Sequence, residues 1–196
     1  MNNDEFEVAG IAQVGLAYVF VRDKKINSVE KSKGKKFAYL DFDPTQKMVV
    51  ERLGLTGVPS EISNFVSKFN NNQADIIAAP AYVYKPLEIV KGLGANGTMF
   101  NFPVINITGN MLIRPDKFPA GFGLKSRAWA VKQLPKNFAT IRRLEAEIPA
   151  KYKQNLSNED KQRYQQMLRE GRIDLTKTGL YDPLMMSVLK RARCTV

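Results

Sequence analysis

The chain contains no histidine and one cysteine, Cys194, among its 196 residues. Those two scarcities exclude Ser-His-Asp and Cys-His nucleophilic systems, and metal sites built on His and Cys. They also exclude an internal disulfide, so cysteine usage says nothing of the redox compartment. Cys194, close to the end of the chain, reads as a surface thiol. Long apolar runs are missing as well: none approaches the roughly 18 residues that a membrane span needs. The opening Met1-Asn2-Asn3-Asp4-Glu5-Phe6-Glu7 has neither a basic stretch nor an apolar one. It does not read as a signal peptide, so the chain as written is expected in the cytoplasm. Acidic residues are scarce too, 19 against 30 Lys and Arg, for a net charge of +11. The imbalance sits in residues 114–196, with 18 Lys and Arg against 8 Asp and Glu. A basic tract invites a nucleic-acid reading. Its bases are nevertheless interleaved with acids, as in Arg142-Arg143-Leu144-Glu145, which suits solvated helix faces.

What is present is the composition of a globular chain, 44% hydrophobic, with room for one domain or two small lobes. The most informative stretch is Lys33–Gln46. It reads as a basic turn, a strand over Phe37–Leu40 and a helix over Pro44–Leu53 stopped by Gly54. Asp43 stands at the N-cap, Pro44 at the first helical position and Gln46 where a capping box closes. In an open α/β sheet, a loop leaving the carboxyl end of a strand is where small ligands bind.

Before it, residues 11–21 form a nearly continuous apolar run that suits a strand buried on both faces, and a short helix is expected around Val29–Ser32. After it, Thr56–Ser60 reads as a turn. Ser60 or Ser63 then caps a helix carrying Ile62, Phe65, Val66 and Phe69, and Ala74–Pro80 is a buried strand. Two such units predict a parallel sheet with right-handed crossovers. Gly92-Leu93-Gly94-Ala95-Asn96-Gly97 has phosphate-loop spacing, but it neither follows a strand nor opens a helix, so it reads as a turn. Phe102–Arg114 alternates as a long strand or a pair of strands. Ala128–Glu147 is an amphipathic helix interrupted by Pro135, and further helices start near Leu156, with Ser157 and Asp160 at the cap, and near Met185.

The order of these elements, with Ser32–Gln46, Ile62–Pro80, Tyr82–Leu87, Asp116–Gly123 and Tyr181–Met186 as its most specific stretches, resembles periplasmic solute-binding proteins of the TRAP-transporter type. More narrowly it is similar to the solute-binding proteins named AdeT, which carry a description as aminoglycoside-efflux components. The resemblance implies an α/β, type II periplasmic-binding-protein-like fold, with a parallel-sheet lobe, crossing hinge strands and a helical C-terminal part. Ala9–Val21 and Val104–Arg114 would be the crossing strands. Residues 1–32 would hold part of a first lobe and a crossing strand, 33–103 the ligand-binding lobe, 104–124 the returning strand and loop, and 125–196 the basic helical part. Such proteins are longer and begin with a signal peptide, so the chain is expected to be N-terminally truncated, with its first lobe incomplete. In relatives an arginine after the Gly-x-Lys turn pairs with the ligand carboxylate; Ala38 takes that position here. That loss, beside Asp41, Asp43 and aromatic rings, points to a cationic or polyol-like ligand.

The candidate ligand-binding residues are Tyr18, Asp41, Phe42, Asp43, Thr45, Gln46, Pro80, Tyr82, Tyr84 and Asn106. Tyr18 lies on a hinge strand, lining the cleft or filling the core. Asp41, Phe42, Thr45 and Gln46 form the strand-to-helix tip, where Asp43 either reaches the ligand or only caps its helix. Pro80, Tyr82 and Tyr84 follow the next strand tip. Asn106 and Thr108 are polar residues inside an apolar strand, and Trp129 reads as core. Neither a metal site nor a cofactor site is indicated.

The function expected is non-catalytic solute binding for a membrane transporter, with a small solute and transporter subunits as partners, no specific nucleic acid and no membrane span. The resemblance places it in the periplasm. The alternatives are an accessory of drug efflux and, from another class, a basic module for nucleic acid or an anionic surface.

Overall fold

The computed structural model describes residues 5–194, with side chains described through Ala192. The readings of residues 1–4 and of the Cys194 thiol lie outside the described residues. One mixed sheet of six strands runs through the molecule in the order β3-β2-β4-β1-β5-β6. Its strands are β1 (Glu7–Val21), β2 (Lys36–Leu40), β3 (Thr56–Ser60), β4 (Ile76–Pro80), β5 (Thr98–Ile113) and the two-residue β6 (Lys153–Gln154). The helices are α1 (Val29–Ser32), α2 (Pro44–Arg52), α3 (Phe65–Asn70), α4 (Ile89–Leu93), α5 (Phe122–Ala146), α6 (Asn158–Lys177) and α7 (Pro183–Cys194). β2, β3 and β4 are mutually parallel, whereas β1 runs antiparallel to both β4 and β5.

The sheet has one core on each face, because successive strand residues point to opposite sides. Phe20, Ala38, Ile77 and Met99 face α3, α4 and the end of α5, together with Phe65, Phe69, Leu93 and Ile148. Their neighbours Val19, Val21, Phe37, Ile76 and Phe100 face the other way, against Val50, Leu53, Leu156 and Tyr164 of the α2 and α6 side. Phe20, Phe69 and Phe100 are almost wholly buried. Each removes an amount of apolar surface that stabilises by about 1.5–3 kcal/mol.

Several expectations need correction. Residues 11–21 are not buried on both faces throughout. β4 ends opposite Ala17, so the outer half of β1 pairs with β5 alone as a two-stranded ribbon, and Ile11 is 50% exposed. Thr56–Ser60 is a strand and not a turn. It is the sheet edge, and Pro59 is tolerated there because an edge strand leaves one row of N–H groups unused. Neither Ser60 nor Ser63 caps α3. Asn64 holds the N-cap position, its Oδ1 accepting from Glu61 N (3.0 Å), and Ile62 lies outside the helix, 66% exposed. Pro135 does not interrupt α5, which is continuous over 25 residues and packs along β1. Trp129 is not core but 62% exposed. The α5 stripe that meets β1 runs through Arg127, Ala130, Asn137 and Ile141, and Trp129 lies about 100° round the helix from Ala130. The divisions at 103/104 and 124/125 fall inside β5 and α5.

Two segments singled out in the sequence for their resemblance alone acquire a physical role. In Asp116–Gly123, the Phe118 and Phe122 rings stack at 4.6 Å and Gly121 takes φ +74°, turning the chain from β5 into α5. Gly123 lets the helix approach Glu7, whose carboxylate a Cβ would strike at 2.3 Å. In Tyr181–Met186, Asp182 Oδ1 accepts from Met185 N (2.6 Å) at the start of α7, and the Tyr181 hydroxyl meets Thr45 Oγ1 at 3.0 Å.

Candidate functional site

The carboxyl ends of the parallel strands β2, β3 and β4 lie at one edge of the sheet and define a rim of three loops, 41–43, 61–64 and 81–84. Asp41 N donates to Ser60 O (3.0 Å), tying the first loop to the end of β3, and Pro80 pairs with Ala17 of β1. Strand register therefore fixes where the rim lies.

The first loop is built by its cap. Asp43 Oδ1 accepts from Thr45 N (2.8 Å) and Gln46 N (3.3 Å), and Pro44 supplies a helix-compatible φ at the first position. Gln46 departs from the capping-box expectation. Its Oε1 accepts from Leu40 N (3.0 Å), the last residue of β2, and so locks the strand end to the helix start. Thr45 is held by Tyr181. Asp43, Thr45 and Gln46 are thus engaged in fixing the loop, which leaves its tip, Asp41 and Phe42, to the solvent. The Asp41 side chain is exposed and unpartnered among the described residues, and the Phe42 ring is 64% exposed.

Pro80 and Tyr82 are half-buried at the third loop. Tyr84, expected beside them, is turned into the core at 5% exposure, among Phe69, Ile89 and Tyr152. Burial, and then the nearby Tyr152, raise its phenol pKa. Its side chain has no face left for a solute. Tyr18 pairs with Ala79 on β4 and Pro103 on β5 and packs against the α5 side of the sheet. Burial raises its phenol pKa first, and the charge of Glu145 raises it further. Asn106, opposite Leu16 on the ribbon, accepts from Gln13 Nε2 through its Oδ1. Ala38 is 2% exposed inside the core, so it offers no ligand contact and carries no reading of ligand charge.

Glu145 is the residue that sequence reasoning passed over. It is half-buried near the end of α5, and its Oε1 is sealed from solvent without a hydrogen-bond partner. It stands close enough to Tyr18 for its charge to act on that phenol. A buried acceptor without a donor is costly in a folded protein and calls for an explanation. No sequence signal marked it, because Glu145 lies in a charged helical run like any solvated acid.

The profile of the AdeT 1/2 solute-binding protein family matches residues 1–196. The chain belongs to that family. It is 43% identical over 189 residues to the probable solute-binding protein AdeT1 of Acinetobacter baumannii, covering 96% of this chain and 62% of AdeT1. It is 34% identical over 194 residues to AdeT2 of the same organism, covering 98% of this chain and 81% of AdeT2. In fold it is similar to a TRAP periplasmic solute-binding protein from Desulfovibrio salexigens with bound orotic acid. That likeness has a TM-score of 0.80 at 12% identity and covers 95% of this chain and 62% of the other. The chain therefore spans less than two thirds of AdeT1 and of that structure. The architecture is a partial type II periplasmic-binding-protein fold. Among the described residues no helix is long and apolar enough to cross a membrane. Neither the family nor the fold supports the drug-efflux or the nucleic-acid reading.

Proposed function

We propose that this member of the AdeT 1/2 family binds a small solute at the rim of β2, β3 and β4, without catalysis, for delivery to a membrane transporter in the periplasm. The observation that carries the reading is the tip of the first loop. Asp43, Thr45 and Gln46 hold it rigid, while the unpartnered Asp41 carboxylate and the exposed Phe42 ring are left for another molecule. Rigid support with an exposed acid and ring is what a binding wall requires and what a connecting turn does not. The solute is cationic or rich in hydroxyl groups. The exposed Asp41 carboxylate asks for donors, and the half-buried Tyr82 of the third loop adds aromatic surface.

Thermal unfolding against polyamines, amino sugars, polyols, amino acids and dicarboxylates tests this. A solute at a hundred times its Kd stabilises by about 2.7 kcal/mol. The expected result is a shift in Tm with a cationic or polyol class that disappears in Asp41→Ala/Tyr82→Ala. A shift given only by dicarboxylates, or one that survives in the double variant, would overturn the assignment.

A further inference from the structure

At the opposite edge of the sheet lies a concavity of about 550 Å³ that the solute reading does not use. Its walls include Lys24, Lys151 and Lys153, the glycine loop at Gly94 and Gly97, and Thr98. No carboxylate lines it. The lysines found in ion pairs among the described residues are Lys85, Lys91 and Lys117, so the three lysines that line the hollow have no carboxylate partner, and the Lys151 ammonium lies over the Tyr152 ring, 5.0 Å from its centroid. Lys24 follows the end of β1 that pairs with Ile76 at the start of β4, whereas the rim lies beyond the other end of that strand.

Three chain segments that are distant in sequence form its walls, and hydrogen bonds fix them to one another. Lys24 N donates to Asn96 O (2.8 Å), joining the turn after β1 to the glycine loop. The Tyr152 hydroxyl donates to Gly94 O (3.4 Å), and Thr98 Oγ1 donates to Tyr152 O (2.7 Å), joining the loop and β5 to the segment that carries Lys151 and Lys153. Asn101 Nδ2 donates to Asn155 Oδ1 (3.0 Å) on the same side. Gly97 has no room for a side chain, since a Cβ would meet Leu93 O at 2.5 Å and Val21 O at 2.8 Å. The Gly-x-Gly-x-x-Gly run ends α4 rather than opening a helix, so helix-end N–H groups do not serve the hollow and the lysines supply its positive charge. Like charges held around one concavity repel, and a multivalent anion placed between them relieves that repulsion.

We propose that this concavity is a binding site for a small polyanion, a molecule with two or more phosphoryl or carboxylate charges. Titration calorimetry of the whole chain with pyrophosphate tests it. The comparison is between Lys24→Gln/Lys151→Gln/Lys153→Gln and a charge-matched control, Lys132→Gln/Lys136→Gln/Lys190→Gln. Saturable binding to the wild type is expected, weakened about tenfold to a hundredfold by loss of the three lining lysines and little changed in the control. Backbone amide shifts on titration are expected to centre on residues 94–98 and 151–155. No saturable binding to the wild type, or equal weakening in the two triple variants, would overturn the proposal by showing only attraction to the net charge. Dicarboxylates in the solute panel are also ligands of the class proposed here, so the panel is repeated in Lys24→Gln/Lys151→Gln/Lys153→Gln, where a shift reports on the rim alone and either reading can fail without the other.

Discussion

Replacing Asp43 by alanine separates the two roles that an acid at the rim could have. Its Oδ1 takes the N–H groups of Thr45 and Gln46 at 2.8 and 3.3 Å. With the carboxylate gone, two first-turn donors lose their acceptor in a half-buried position, and losses of this kind cost about 1 kcal/mol, reaching about 2. In a chain of this size ~1 kcal/mol lowers Tm by about 2–4 °C. α2 has nine residues, too few to hold a helix by itself, and its first turn also receives Tyr181. The cap is therefore expected to matter beyond its own two bonds. Asp43→Ser keeps an oxygen acceptor and discards the charge. If Asp43 serves the helix, Asp43→Ser recovers most of the lost Tm, and a solute that stabilises the wild type stabilises this variant equally. Circular dichroism melts of the three proteins, with and without that solute, are the assay. An Asp43→Ala melt superimposable on the wild type would refute the capping argument. Full stability in Asp43→Ser with the solute effect abolished would show that the carboxylate itself binds.

Glycine substitutions probe the packing. Gly97→Ala meets backbone oxygens on two sides and is expected to destabilise by about 1–3 kcal/mol or more in a denaturant titration. Gly171→Ala in α6 meets only the mobile end of Met48, at 2.6 Å from its Cε. It is expected to range from neutral to stabilising by up to about 1 kcal/mol, because helix propensity improves. A further test uses alkaline pH. Burial first, and then Asp160 and Glu30, push the Tyr164 phenol pKa well above 10.0. The unfolded chain therefore releases this proton at a lower pH than the folded one. The stability contribution is complete below pH ~10 and declines as pH rises beyond it, by up to about 1.4 kcal/mol per pH unit. Tyr164→Phe should lessen that decline in alkaline denaturant melts; an unchanged slope would contradict the burial argument.

Much of the fold could be read from periodicity. Phe37 and Ala38, or Ile76 and Ile77, alternate between two cores, and the continuous apolar character of β2 and β4 follows from helices on both faces. β3 escaped because Thr56-Gly57-Val58-Pro59-Ser60 has turn composition. Gly57 is required by the Tyr39 ring, which a Cβ would meet at 2.9 Å, and Pro59 is permitted by the edge position. Both reasons are tertiary and leave no trace in local sequence. The rim was legible as a place, since a cap after a strand marks a strand-to-helix loop. The division of labour within it was legible only in part: Asp43 before Pro44 reads as a cap, but the Gln46 bond to Leu40 N and the Thr45 contact with Tyr181 depend on tertiary neighbours. Glu145 was invisible for the same reason: whether a helical acid is solvated or sealed depends on what packs above it.

The basic C-terminal part is not a separate module hung on an α/β lobe. Arg52 of α2 meets Glu170 and Asp174 of α6, and Arg163 of α6 meets Glu30 of α1. Each exposed pair is worth at most about 1 kcal/mol, so these contacts orient the helix more than they hold it. α6 also buries apolar residues, among them Leu175 and Tyr164, the latter 4% exposed and packed on Phe100 and Phe102 with ring centroids 6.4 and 6.3 Å away. A ring so placed fixes α6 against β5 and α2 together, and Tyr181 then reaches Thr45 at the first turn of α2. The cationic surplus of residues 114–196 is thus the solvent side of a brace whose inner side supports the rim. Loosening that brace with Tyr164→Ala is expected to cost about 3–5 kcal/mol of stability. It should also weaken solute binding at the rim, although no residue of α6 is placed in contact with the solute. Solute affinity left intact in that variant would make α6 a passive cover.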